Sequence, residues 1–137
     1  MSLLSLDDQT ALRARWSESH RHYHSLRHLD ECLEQFVAVR SLAQDAEVVE
    51  AAIWLHDAVY DARRDDNEAR SAALARTMLS ANGTSADRIA RVEAIILATR
   101  HAGPCAIPDG QLTCDIDLAI LGADPARFDE YERDVRA

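Results

Sequence analysis

The sequence predicts an all-α fold, and three observations favour this class. The 137-residue chain has only four glycines and three prolines. It is rich in Ala, Leu, Arg and Glu, which all favour helices. Apolar residues recur at intervals of three and four, and no stretch alternates apolar and polar residues as a half-buried strand does. We therefore expect a bundle of about six to seven helices.

Caps and apolar stripes place the first three helices. The first should begin after Ser5 or Asp7 and run to about residue 19. The second should span about 22–42. Its apolar stripe would consist of Leu26, Leu29, Leu33, Phe36 and Val37. Asp45 is a typical N-cap for a third helix. The core face of that helix would consist of Val49, Ala52, Ile53, His56 and Tyr60.

The second half of the chain follows the same pattern after a polar loop at 61–66. A fourth helix should be capped by Asn67 and stop at Asn82-Gly83. Its inward residues would be Ala69, Ala72, Ala73 and Leu79. Ser85 should cap a fifth, with an apolar face of Ile89, Val92, Ile95, Ile96 and Thr99. A loop at 101–110 precedes a short helix over about 111–121, and a last helix should begin near residue 124.

Composition limits the functional classes. A length of 137 residues with 47% apolar and 28% charged residues is typical of one globular domain. The net charge of -9 argues against a nucleic-acid partner, because such binding depends on Lys and Arg at the phosphates. Three cysteines without CxxC spacing favour a reducing cytoplasm. We expect no secretory signal, because Asp7 and Asp8 follow only a short apolar run, and no apolar run approaches the roughly 20 residues that span a membrane.

The most informative feature is the adjacent pair His56-Asp57 within an apolar segment. Burying an imidazole and a carboxylate together costs several kcal/mol unless a partner compensates them. A divalent cation would be such a partner. Taken alone, the pair is better explained by a core histidine bonded to a backbone carbonyl beside an exposed Asp57.

Further metal-binding side chains lie in other segments. Four of the six histidines fall between His20 and His28, and His24 and His28 share one helix face. A solvated polar face or an adventitious nickel-binding patch is the alternative. Asp115 and Asp117 point in nearly opposite directions on a helix, and Asp117 has the more apolar neighbours. We favour Asp117 as a ligand. In the alternative, Asp117 pairs with an arginine, and Asp115 is a first-turn acidic residue whose charge is stabilised by the helix dipole.

His28, His56, Asp57 and Asp117 would form a mixed imidazole and carboxylate set. Such ligands suit Mn²⁺, Fe²⁺, Co²⁺, Ni²⁺, Zn²⁺ or, less well, Mg²⁺. Four protein ligands leave coordination positions open, as in catalytic sites. An open divalent site lowers the pKa of bound water and polarises a phosphoryl oxygen, which is hydrolytic chemistry.

These residues resemble the H…HD…D signature of the HD superfamily of metal-dependent phosphohydrolases. The likeness is closest to the small predicted HD phosphohydrolases of bacteria, and the first motif is similar to that of cyclic-nucleotide phosphodiesterases. It covers about residues 10–137, with five ordered motifs at 21–29, 52–61, 67–72, 98–101 and 115–122. The resemblance implies a single HD domain over 1–137, and relatives continue through helices beyond residue 136.

The resemblance also assigns roles. It implies that His28 binds the metal and that His24 is the general acid for the leaving oxygen. Glu68 is a second candidate catalytic residue, although a first-turn acid at that position is equally well explained by the helix dipole. His101 would contact a second metal or the substrate phosphate. Candidate supporting or substrate-contacting residues are Asp61, Asn67, Asp115 and Arg27.

The sequence therefore predicts a metal-dependent phosphohydrolase that cleaves a small phosphate ester, such as a nucleotide, with metal-activated water. The partner would be that small phosphorylated substrate, with no nucleic acid and no membrane, and a homo-oligomer is left open. One rival is a catalytically inactive HD-fold module that binds metal or nucleotide. A third reading is a helical scaffold without metal.

Overall fold

A computed structural model of the chain describes residues 2–18, 25–61, 63–101 and 105–119. Within these ranges the all-α prediction is confirmed, with six α-helices, one short 3-10 helix and no strand. The helices are α1 (Leu6–Trp16), α2 (Leu26–Val39), α3 (Ala46–Leu55), α4 (Asn67–Ala81), α5 (Ala86–Ala98) and α6 (Pro108–Asp117), and the 3-10 helix is Arg40–Leu42. Among these described helices, none has the length and apolarity needed to cross a bilayer.

Helix α3 lies at the centre of the described bundle. It contacts each of the other five α-helices. Val48, Val49 and the whole run 51–55 are buried, so α3 is apolar around most of its circumference rather than on the single face that its periodicity predicted. A helix apolar on all sides is stable only when neighbours surround it. The end of α3 therefore lies deep in the protein, where a polar side chain must find a partner.

Side-chain caps begin three of the helices, as the sequence predicted. Ser5 and Asp8 form a reciprocal capping box at the start of α1, with both side chain to backbone distances at 3.0 Å. Ser85 Oγ accepts from Arg88 N at the start of α5. Asp45 Oδ1 accepts from Val48 N at the start of α3. These bonds satisfy amides that have no partner within their own helix.

Predicted details of α2, α4 and α6 are wrong. Val37 on α2 is 76% exposed, because it lies about 100° around the helix from buried Phe36. On α4, Ala69 and Ala73 are exposed, whereas Ser71 and Ala75 are buried. Small side chains at helical spacing do not reveal which face is inward. Helix α6 begins at residue 108 rather than near 111, since proline is well suited to the first position of a helix. The predicted last helix lies outside the described residues.

Asp45 joins α3 to α5 as well as capping α3. Its carboxylate accepts from Arg88 Nε at 3.1 Å and from a terminal nitrogen of Arg88 at 2.8 Å. Arg91 approaches the same carboxylate at 3.4 Å. The hydrogen bonds from Arg88 are the main cause that lowers the pKa of Asp45 from its usual value. The folded state therefore favours the ionised carboxylate.

We predict that Asp45→Asn lowers the free energy of unfolding by about 1 kcal/mol at neutral pH. Asparagine keeps a capping oxygen. The decrease in the free energy of unfolding therefore measures the contribution of the negative charge. Because the folded pKa lies below the unfolded value of about 3.9, the contribution is complete above that pH and disappears as the pH falls through the folded pKa. Urea denaturation of both proteins from pH 7 to 3 measures the difference.

Asp87→Asn is the matched control, because Asp87 also pairs with an arginine of α5 but its side chain is 81% exposed. It should change stability by less than about 0.5 kcal/mol. A difference between wild type and Asp45→Asn that is equally large at pH 3 and pH 7 would contradict the charge-based explanation.

Candidate metal site

The His56-Asp57 pair lies in the turn directly after α3, not within a helix that continues to Tyr60 as the sequence predicted. His56 N donates to Ala52 O at 2.8 Å, which extends the last turn of α3 by one bond. His56 is 1% exposed and Asp57 is 7% exposed. The alternative of an exposed Asp57 is therefore wrong. A buried imidazole and a buried carboxylate lie side by side at the centre of the fold.

Asp117, the last residue of α6, brings three histidines together. Its Oδ1 accepts from His28 Nε2 at 2.7 Å and from His56 Nε2 at 3.1 Å. Its Oδ2 accepts from His101 Nε2 at 2.8 Å. These histidines come from α2, from the turn after α3 and from the segment after α5. The side chain of Asp117 is 11% exposed, so the carboxylate depends on these partners.

The four predicted ligands could together hold one metal ion. Each of His28, His56, Asp57 and Asp117 offers a ligand atom, and these atoms all lie within 4.8 Å of one another. We call this group the four-residue cluster. Asp115, the other carboxylate considered as last ligand, is exposed. The structure thus groups the four residues that the sequence placed together, although they come from three separate segments.

The hydrogen bonds of His56 define its protonation. Its Nδ1 donates to Ile53 O at 2.7 Å, and its Nε2 lies 3.1 Å from Asp117 and 3.5 Å from Asp57. Carbonyl and ionised carboxylate oxygens only accept, so these contacts favour a ring that is protonated on both nitrogens. Burial lowers the pKa of His56, but the charges of Asp57 and Asp117 outweigh it and raise the pKa to about 9.

The neighbouring histidines favour the ionised carboxylate of Asp117. Burial alone would raise its pKa, but the charge of His56 and the hydrogen bonds from His101 and His28 hold the pKa well below its usual range. In turn, the hydrogen bond to Asp117 raises the pKa of His101 despite partial burial. The negative carboxylate of Asp117 thus favours the protonated forms of His56 and His101.

The cluster fits a divalent cation on its own chemistry. Two imidazoles and two carboxylates form a nitrogen and oxygen donor set that suits the first-row divalent metals. The bond from His56 Nδ1 to the Ile53 carbonyl leaves Nε2 directed at the cluster. Metal-binding histidines usually make such a bond through their other nitrogen, because it fixes ring orientation and tautomer.

Trp16 covers both cluster histidines, and sequence reasoning gave it no role. Its ring centroid lies 6.1 Å from that of His28 and 5.3 Å from that of His56. Trp16 Nε1 donates to Trp54 O at 2.9 Å, and the residue is fully buried. A large apolar wall restrains the imidazoles and lowers the local dielectric constant. No local motif marks this residue, because the contact depends on how α1 packs.

Cys32 is a second neighbour that the sequence did not connect with the site. It lies one turn after His28 on α2, and its Sγ is 3.6 Å from His28 Nε2. Cys32 is 2% exposed. Burial, together with the charges of Asp117 and Asp57, raises the pKa of the thiol well above its usual value. The side chain therefore faces the cluster as a neutral thiol.

His101 reaches the edge of the cluster, as the sequence suggested. Its side chain is 31% exposed, compared with 3% for His28 and 2% for His56. Its φ of 56° is the one positive value found at a residue other than glycine in the described ranges. Such a conformation costs energy and persists where surrounding contacts impose it. The bond to Asp117 Oδ2 is such a contact.

Two predicted supporting residues make contacts other than those expected. Asp61 accepts from the Nε of Arg63 at 3.2 Å and from a terminal nitrogen of that side chain at 3.3 Å. Arg27 Nε lies 3.8 Å from Oε1 of Glu31, which is also on α2, and the Arg27 side chain is 60% exposed. Roles for Asp61 in orienting a ligand and for Arg27 in binding phosphate therefore remain predictions.

The remaining predicted site residues fall at or near the start of α4 or outside the described ranges. Asn67 does not cap α4; it is the first residue of that helix, and its side chain bonds to the backbone of Asp61. Glu68 lies in the first turn of α4 and is half-buried. His24, the candidate general acid, lies outside the described residues. Catalytic roles for Glu68 and His24 stay predictions.

Comparison of the chain with models of known families, with curated proteins and with solved structures finds no match. Function must therefore be argued from the cluster itself and from the motif resemblance.

Proposed function

We propose that this chain is a metal-dependent phosphohydrolase that cleaves a small phosphate ester, with a nucleotide as the favoured substrate class. The observation that carries the proposal is the convergence of four ligand atoms within 4.8 Å. The order of these ligands along the chain also resembles the HD superfamily. A divalent cation at such a site lowers the pKa of bound water and polarises a phosphoryl oxygen.

In this proposal the four cluster residues hold the cation, and the neighbouring apolar side chain of Trp16 shields one side of the site from water. His28 and His56 would bind through Nε2, each releasing its Nε2 proton to the solvent as the cation binds, and Asp57 and Asp117 through one carboxylate oxygen each. The ring of Trp16 packs against both imidazoles in a tilted arrangement. The accessible side is that of His101, whose imidazole could donate to a substrate phosphate there. Four protein ligands would leave positions for substrate and water.

The reaction is a hydrolysis of the phosphorus to ester oxygen bond. Water attacks phosphorus and gives up a proton to the solvent, the bond to the leaving oxygen breaks, and that oxygen takes up a proton, so that phosphate and an alcohol or a shorter nucleotide are released. By resemblance His24 donates the proton. A histidine suits this task because its unperturbed pKa of about 6.5 lies near neutrality.

The test combines metal analysis with a substrate screen. Protein stripped with chelator is dialysed against Mn²⁺, Co²⁺, Ni²⁺ or Zn²⁺, and bound metal is measured by elemental analysis. Phosphate release is then followed with nucleoside mono-, di- and triphosphates and with sugar phosphates. Ring opening of cyclic nucleotides, which frees no phosphate, is followed by chromatography of the nucleoside monophosphate. We expect at least one cation per chain and phosphate release that requires it.

Two outcomes would contradict the proposal in different ways. Stoichiometric metal without turnover of any substrate would favour the rival, a metal- or nucleotide-binding module. No bound metal, with the same melting temperature in the presence and absence of chelator, would favour a helical scaffold. Cation binding to the folded state must otherwise raise stability, by about 2.7 kcal/mol at 100 times Kd.

A further inference from the structure

Helix α4 presents two buried polar side chains to the segment that follows the His56-Asp57 turn. Asn67 is 7% exposed and Ser71 is 0% exposed. They are four residues apart and so lie on the same face of the helix. Buried amide and hydroxyl groups are costly unless they are hydrogen-bonded. Both side chains find their partners in the backbone of residues 59–61.

Each of these side chains binds both backbone groups of one residue. The hydroxyl of Ser71 accepts from Val59 N at 3.1 Å and donates to Val59 O at 3.2 Å. The amide of Asn67 accepts from Asp61 N at 3.0 Å and donates to Asp61 O at 2.9 Å. A neighbouring β-strand would make the same paired bonds to alternate residues. Here two side chains of a helix replace the strand.

The spacing explains why one helix face can do this. Residues two apart in an extended chain are about 6.6 Å apart, and residues four apart in a helix rise by about 6 Å. Ser71 therefore lies in register with Val59, and Asn67 lies in register with Asp61. We call this arrangement of four bonds the side-chain ladder.

The side-chain ladder holds the backbone at Val59 and Asp61, on the carboxyl side of Asp57. On the other side of the pair, α3 holds the turn through bonds from His56 N to Ala52 O and from Ala58 N to Leu55 O. Since α3 ends at Leu55, no continuous helix holds Asp57 from the carboxyl side. The ladder supplies that restraint from α4, which packs along α5.

We propose that Asn67 and Ser71 are positioning residues that hold the carboxylate of Asp57 in the four-residue cluster. This inference rests on the proposed cation site. Both side chains act through the backbone at Val59 and Asp61. Removing a group that orients a metal ligand typically weakens metal binding about 10- to 100-fold.

The test is a Co²⁺ titration of the full chain, read by equilibrium affinity and by visible absorption, which reports the ligand geometry. We expect Ser71→Ala and Asn67→Ala to bind Co²⁺ about 10- to 100-fold more weakly than wild type. Their absorption spectra should also change. Ser80→Ala, an exposed serine of the same helix, is the matched control and should bind like wild type.

A core variant separates positioning from general destabilisation. Leu79→Val removes one methylene from the buried face of α4 and lies away from the ladder. If Leu79→Val weakens Co²⁺ binding and alters the spectrum as much as the ladder variants do at equal loss of stability, the positioning role is wrong.

Two further results have distinct meanings. If wild type binds Co²⁺ and both ladder variants show the same affinity and spectrum, this inference fails and the proposed function stands. If wild type binds no Co²⁺, the proposed function fails and the inference fails with it. Asn67→Ala and Ser71→Ala remove different bonds, so either folded variant decides the question.

Discussion

Replacing Asp117 with asparagine is expected to abolish cation binding and phosphate release. Asp117 contributes one oxygen to the cluster and also contacts His28, His56 and His101. Asparagine has nearly the same shape but carries no charge, so the fold can be retained while a charged ligand is lost. The affinity for Co²⁺ should fall by more than the roughly 100-fold that loss of a supporting residue costs. Equilibrium dialysis and phosphate release measure both effects.

Asp115→Asn is the matched control for this prediction. Asp115 lies two residues earlier on the same helix and is exposed, so the change removes an equal charge without touching the cluster. It should leave the metal content at the wild-type level. Equal losses for both variants, or full activity of Asp117→Asn, would contradict the assignment of Asp117 as a ligand.

Replacing Trp16 with alanine is expected to cost about 3–5 kcal/mol in the free energy of unfolding. Trp16 is fully buried, and its removal would leave a large cavity beside His28 and His56. The carbonyl of Trp54 would also lose the bond from Trp16 Nε1. Urea denaturation monitored by far-ultraviolet circular dichroism measures the change, since this signal comes mainly from the helical backbone.

Two variants calibrate that result. Trp16→Phe keeps a ring but leaves the Trp54 carbonyl without the indole donor, so we expect a smaller loss of about 1–3 kcal/mol. Leu6→Ala truncates an apolar side chain on α1 that is 80% exposed and should change stability by less than about 0.5 kcal/mol. A Trp16→Ala loss no larger than that of Leu6→Ala would contradict the proposed wall.

The sequence predicted the parts of the fold that depend on local chemistry. Ser85 and Asp45 were recognised as caps because their short polar side chains satisfy free helix amides within three residues. The faces of α4 could not be predicted in this way. Ala69, Ala72, Ala73 and Ala75 have the same side chain, and only the packing of neighbouring helices decides which of them are buried.

The ligand set was predictable because unusual residues stand out in apolar surroundings. The choice of Asp117 over Asp115 followed from its apolar neighbours, and the structure places Asp117 among three histidines. The contributions of Trp16 and Ser71 could not be predicted. A buried tryptophan or serine has no distinctive spacing, and their contacts link residues that are 38 and 12 positions apart.

The end of α3 shows where periodicity misleads. Apolar spacing extends through His56 towards Tyr60, so the pattern predicts a longer helix. In the structure the helix stops at Leu55, and further along the segment Val59 and Asp61 bond with Ser71 and Asn67 of α4. A tertiary partner, which a single sequence does not identify, replaces the helical bonds.

The most direct test of the cation site is a crystal structure of the full chain grown with Co²⁺, with anomalous diffraction recorded on both sides of the cobalt absorption edge. We predict one strong anomalous peak within bonding distance of Nε2 of His28, Nε2 of His56 and carboxylate oxygens of Asp57 and Asp117. A structure in which cobalt is absent from this cluster, or is bound only by other histidines, would contradict the account.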